Sequence, residues 1–238
     1  ELSTGSRRLV EFGCLLAQEP EVLLLDEPSA GLARAEAEAL GPLLKGIRDA
    51  TGAGLGVVDG GQIPYKPQAL AKKKENQEKW LERDPEIKCY LPGVPRATYM
   101  PFPFQIFQSQ SAFFIAYEYA GAVRNVYLKD PGPAPVDTWM GQSYGRWEGE
   151  TFVVEATGFN GQAWLDRSGN HTSANLKVTE RYTRTGPDHL MYEATIEDPE
   201  TFTKPWKISM PLYRRVEQNA QLMEFKCVEF VEELMYGE

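Results

Sequence analysis

The sequence predicts a mainly β protein: an antiparallel β-barrel (lipocalin-like) or a sandwich, preceded by a helical N-terminal fragment. Three observations predict it. From Phe104 onward, short runs rich in Val, Ile, Thr, Tyr and Phe succeed one another. Turn signals at Trp147-Glu-Gly-Glu150, Gly186-Pro-Asp188 and Asp198-Pro199 separate them, at a spacing of roughly 10 residues. Within Lys177-Val-Thr-Glu-Arg-Tyr182 and Glu193-Ala-Thr-Ile-Glu197, polar and apolar residues alternate, so each strand has a wet and a dry face.

Taken in order, residues 67–82 read as an amphipathic helix, with Pro67 in its first turn and Leu70, Lys73, Lys74, Gln77 and Leu81 along one side. Residues 91–103 carry Pro92, Pro95, Pro101 and Pro103, too many for a helix or a central strand, and should form an extended, packed loop. Strands are expected over residues 104–110, 112–120, 123–129, 152–157, 176–185, 189–197, 206–213 and 222–229. The Glu148-Gly149 pair between β-forming residues suggests a tight hairpin.

The length of 238 residues allows one large or two modest domains, and 42% hydrophobic residues suffice for a core. A net charge of −9 opposes a nucleic-acid-binding surface, which needs clustered Lys and Arg. The densest basic run, Lys72-Lys-Lys74, is followed by Glu75 and Glu78 and reads as a solvated helix face. No apolar stretch approaches the roughly 18 residues of a membrane span, so no membrane insertion is expected. The chain opens Glu1-Leu2-Ser3 without a leader peptide, inside a motif, so this start is expected not to be the natural one.

Residues 1–55 have a different character from the rest. Glu21-Val-Leu-Leu-Leu-Asp26-Glu27 is an apolar run ending in two carboxylates, as suits a buried parallel strand delivering them at its end. Leu2-Ser-Thr-Gly-Ser-Arg-Arg8 precedes it and Ser29-Ala-Gly-Leu32 follows. With these motifs in this order, the segment resembles the back half of an ATP-binding cassette ATPase. In that family the aspartate holds magnesium and the glutamate polarises water. The phosphate cradle G-x-x-x-x-G-K-[ST] is missing, and Asp59-Gly60-Gly61 stands where the family's switch histidine belongs. Residues 1–57 are therefore expected to be a non-functional remnant. The seam is expected within Gly56–Gly61, with the function carried by residues 58–238.

The second part resembles a group of uncharacterised bacterial proteins from soil and environmental genomes. The likeness rests on Gly141-Gln-Ser-Tyr-Gly-Arg-Trp-Glu-Gly-Glu-Thr-Phe-Val-Val154, Gly158-Phe-Asn160, Trp164-Leu-Asp-Arg-Ser-Gly169, Val178-Thr-Glu-Arg-Tyr182 and Thr195-Ile-Glu-Asp-Pro199, with Lys204-Pro-Trp206. Members usually carry an export signal, so the resemblance implies an extracytoplasmic role and names no reaction. Cys89 and Cys227 sit near the two ends of this domain and could pair if they meet in space. Cys14 belongs to the remnant and reads as a small buried apolar residue.

The densest chemistry lies in Trp164-Leu-Asp166-Arg-Ser-Gly-Asn-His171. His171 suits proton transfer if Asp166 orients it; the bland alternative is a capped turn with a solvated histidine. Glu118 and Glu180 lie in expected strands, Glu118 sharing a face with Phe114 and Ala116. If that face points inward, each carboxylate must find a partner, such as Arg124 or Arg181, or stay protonated. A raised-pKa acid facing an ionised carboxylate is the arrangement that cleaves glycosidic bonds. Trp139, Trp147, Trp164 and Trp206 fall in or beside loops and could line a mouth that stacks on sugars or aryl groups, with Tyr117 nearby. Gly141-Gln-Ser143-Tyr-Gly145 matches G-x-S-x-G, but without a strand-to-helix elbow it reads as a glycine-rich turn. No metal-ligand spacing links His171 and His189, and neither a metal nor a cofactor is expected.

The expected function is hydrolysis of a small glycoside-like or aryl-linked substrate. Asp166, His171, Glu118 and Glu180 would serve as acid, base or nucleophile. Arg124, Arg181 and Asn160 would orient the substrate, and Trp147, Trp164 and Tyr117 would contact its rings. The alternative is a lipocalin-like binding protein without chemistry, in which Arg124 neutralises a buried glutamate.

Overall fold

A computed structural model of the chain describes residues 57–58, 62–229 and 231. The segment expected to be a helical remnant, with Cys14 and the carboxylates Asp26 and Glu27, lies outside the described residues. Within them the protein is mainly β. Its strands are β1 (Val57–Val58), β2 (Phe104–Gln108), β3 (Ala112–Tyr117), β4 (Val123–Tyr127), β5 (Gln142–Glu148), β6 (Thr151–Thr157), β7 (Lys177–Arg184), β8 (His189–Glu197) and β9 (Trp206–Tyr213). They form one sheet in the order β1-β9-β8-β7-β6-β5-β4-β3-β2, curled into a half-barrel with β1 and β2 at its edges.

Pairing is antiparallel throughout except between β4 and β5, which run parallel with Val126 opposite Ser143. Parallel neighbours need a long crossover, and the segment containing Pro131, Pro133 and Pro135 supplies it. The hairpin at Gly149 is as tight as expected: Glu148 pairs with Thr151 across two residues, and Gly149 has φ +61°.

Period-2 alternation sorts the side chains. Phe113, Ile115 and Tyr117 of β3 face inward, as do Val154 of β6, Val178 of β7 and Ala194 and Ile196 of β8. The register lines them up in layers, with Val154 opposite Glu180, and Glu180 opposite Ala194. The proline-rich segment seals the concave side. Val94 and Ala97 join the core cluster, and a short helix, α3 (Arg96–Tyr99), brings Thr98 to within 3.4 Å of the Tyr117 hydroxyl. Removing this much apolar surface from water is the main force holding the sheet curled.

Five expectations need correction. The proline-rich segment 91–103 is not extended throughout, since Arg96–Tyr99 form the single helical turn α3. The glycine-rich turn expected over 141–145 is instead largely part of strand β5; Gly145 is there because the Phe152 ring crosses it, and a Cβ would sit 2.4 Å from that ring. Residues 222–229 form no strand. Instead Cys227 is bonded to Cys89 (Cα–Cα 5.6 Å), and the Phe225 ring packs against Phe102 and Tyr119. The expected 67–82 helix divides into α1 (Pro67–Glu78) and a single turn, α2 (Trp80–Arg83). The buried residue of α1 is Asn76, whereas Leu70 is exposed, so α1 docks through a polar side chain and not an apolar stripe. Finally, β3 stops at Tyr117: Glu118 is in a helical conformation (φ −65°, ψ −44°) and starts a turn. None of the helices among the described residues is long and apolar enough to cross a membrane.

Candidate functional site

Two polar constellations result, one inside the curled sheet and one outside it. Inside, Arg124 of β4 forms an ion pair with Glu180 of β7, both side chains almost wholly buried. The Arg124 Nε also donates to Ser143 Oγ at 2.8 Å. The other Glu180 oxygen accepts from the hydroxyls of Tyr182 (3.0 Å) and Tyr192 (2.8 Å). Burial would lower the Arg124 pKa, but the Glu180 charge beside it holds that pKa well above its ordinary value. Burial, then the same carboxylate, pushes Tyr182 and Tyr192 well up, so both hydroxyls keep their protons and remain donors. Ser143, the centre of the G-x-S-x-G match, serves as an acceptor for Arg124.

Glu118 is not part of this cluster. Its Oε2 accepts from the backbone N–H of Met223, which fastens the C-terminal segment next to the Cys89–Cys227 bond. The strand face shared by Phe114 and Ala116 is the outer one, opposite to Phe113, Ile115 and Tyr117. Arg181 also points outward and pairs with Glu148 at 2.8 Å. Trp147 is exposed and packs on Phe113 and Phe152, while Trp206 is buried against Phe202, so the tryptophans do not share one mouth. Asn160 holds a turn by accepting from the N–H of Gln162.

Outside the sheet, Trp164 and His171 face each other across an isolated antiparallel bridge, with Asp166–Asn170 as the turn between them. Asp166 builds that turn. Its Oδ1 accepts from the N–H of Ser168 (2.9 Å) and its Oδ2 from Asn170 Nδ2 (2.7 Å). None of its hydrogen bonds reaches His171. Tyr65 donates to Asn170 Oδ1 at 2.9 Å and stacks on the His171 ring. The turn is clamped from the side by Arg167, which binds Glu86 at 2.8 Å, and Glu86 in turn pairs with the buried Arg96.

A groove of about 330 Å³ lies over this turn, with Trp164 and His171 in its wall. Trp139 and Tyr90 stack nearly parallel along it, with centroids 5.0 Å apart and planes 11° apart. Lys72 of α1, Arg83 of α2 and Lys88 bring positive charge to its rim, and no carboxylate lines it. Arg83 is paired with Glu75 at 2.7 Å. His171 is only 5% exposed, and its Nδ1 is buried with no hydrogen-bond partner. Burial and then the Lys72 charge hold the His171 pKa below its ordinary value, against the opposing effects of the Gly169 carbonyl and Asp198. Lys72, Lys88, Tyr90 and Gln162 carry no motif, and only the fold brings the segments around 72, 88–90 and 162 together.

One glycine fixes the geometry of the groove. Gly169 has φ +79°, and a Cβ there would lie 2.8 Å from the Lys73 carbonyl oxygen and 2.8 Å from the Gln77 nitrogen, both backbone atoms of α1. Asn76 Nδ2 donates to its carbonyl. Gly169→Ala is expected to cost about 1–3 kcal/mol, read as a lower midpoint in denaturant unfolding, because neither the φ angle nor the helix backbone can yield cheaply.

Among the described residues, no group of three or more His, Cys, Asp or Glu is placed to hold a metal ion. No family model matches the chain. No solved structure matches it. A 49-residue segment, 21% of the chain, is 53% identical to the cobalt import ATP-binding protein CbiO of Rhodobacter capsulatus. The chain spans 18% of that protein's length, and a short segment is thus similar to an ATP-binding cassette transporter ATPase.

Proposed function

We propose that residues 58–238 form a small-molecule-binding domain whose site is the groove over the Trp164–His171 turn, and that residues 1–57 are a remnant without nucleotide chemistry. The observation that carries this reading is the distribution of carboxylates. Glycoside cleavage needs two of them flanking a substrate, about 5 Å or about 6.5–9.5 Å apart. Glu180 is enclosed by Arg124, Tyr182 and Tyr192, Asp166 is engaged by its own turn, and Glu118 is bound to the Met223 backbone. The groove instead offers flat rings and polar rim groups, which suit binding. The Cys89–Cys227 bond supports an extracytoplasmic setting, where disulfides persist.

Calorimetric titration with 4-nitrophenyl phosphate and 4-nitrophenyl β-D-glucoside tests the reading. At least one of them should bind, and Trp139→Ala should weaken that binding about tenfold, a loss of about 1.4 kcal/mol. No nitrophenolate should be released. Release above the buffer rate that Asp166→Asn or Glu118→Gln abolishes would reverse the conclusion in favour of hydrolysis.

A further inference from the structure

We infer that the groove selects a ligand in which a planar ring carries an anionic group, such as an aryl phosphate, sulfonate or carboxylate. The inference rests on the binding reading above and adds the chemical class of the ligand. The chain as a whole carries a net charge of −9, yet this groove is bordered by Lys72, Arg83 and Lys88 and by no acid. A concentration of one sign of charge, against the sign of the molecule, attracts the opposite charge locally.

Two of these cations are uncommitted. Arg83 is shared with Glu75, but Lys72 and Lys88 form no ion pair among the described residues. They rise from different elements, Lys72 from α1 and Lys88 from the segment after α2, and both line the same hollow. His171 also lines this hollow, and its buried Nδ1 is without a hydrogen-bond partner. Such an atom is costly to leave unpaired. The ring requirement follows from the stacked Trp139 and Tyr90, which present flat apolar surface beside the cationic rim. A second hollow, about 460 Å³ between Asp188 and the 214–220 segment, mixes Asp188 and Glu217 with Arg214 and Arg215 and contains no ring.

The test compares 4-nitrophenyl phosphate, 4-nitrophenyl β-D-glucoside and inorganic phosphate by calorimetry on the whole chain. The aryl phosphate is expected to bind at least about tenfold more tightly than the glucoside. Lys72→Met combined with Lys88→Met should erase that preference, and Lys72→Arg with Lys88→Arg should keep it. Equal affinity for the aryl phosphate and the glucoside, both weakened about tenfold in Trp139→Ala, would overturn the anionic class while leaving the binding site standing. Inorganic phosphate binding as tightly as the aryl phosphate would overturn the ring requirement. Failure of both aryl compounds to bind, or binding untouched by Trp139→Ala, would remove the binding site itself and this inference with it.

Discussion

Glu180→Gln is expected to lower stability by about 3–5 kcal/mol, because it strands the Arg124 guanidinium inside the sheet. Arg124 is then left with Ser143 and a neutral amide, while its Nη1 is already without a hydrogen-bond partner. For a domain of this size the midpoint of thermal unfolding should fall by roughly 6–20 °C. Arg124→Met is expected to be as damaging for the mirror-image reason: Glu180 keeps the two tyrosine donors but loses its counter-charge. The double variant Arg124→Met/Glu180→Gln removes both charges and keeps an acceptor for the tyrosines. It should therefore be more stable than either single variant, and additive losses in a double-mutant cycle would contradict the account of the pair.

Removing the disulfide should be the next largest effect. Cys89 and Cys227 are 138 positions apart, so the bond constrains a long loop in the unfolded chain. It also anchors the segment that packs Phe225 on Phe102 and Tyr119 and donates the Met223 N–H to Glu118. Cys89→Ala/Cys227→Ala is expected to cost about 2–5 kcal/mol. Limited proteolysis should then cut first within 214–229. If the reduced protein melts at the same temperature and resists cleavage there, the segment is held by its packing alone.

The fold was legible in the sequence wherever alternation was strong. Expected and observed bounds coincide for β8 and β9; Gly186-Pro187 and Pro199 bound the first, and Pro205 precedes the second. Alternation failed where a second constraint intruded. Gly145 makes residues 142–148 look like a turn, yet a strand needs glycine there to admit the Phe152 ring. At Glu118, local sequence continues the β pattern of Phe113–Tyr117, but the strand ends at Tyr117, three residues before its expected end at Ala120. The buried pair joins residues 56 positions apart, so only the register β7–β6–β5–β4 decides that Glu180 meets Arg124. The groove was half legible. Trp164 and His171 belong to a short, loaded segment, whereas Lys72, Lys88 and Tyr90 reach it from elements folded over that segment.

A ligand is expected to sit in the outer groove and not within the curled sheet. The chain's five tryptophans provide indole N–H signals that separate the two in one experiment. On titration with 4-nitrophenyl phosphate, the indole resonances of Trp139 and Trp164 should shift together and saturably, while those of Trp147 and Trp206 stay in place. A saturable shift of the core Trp206 signal with Trp139 and Trp164 unmoved would contradict it.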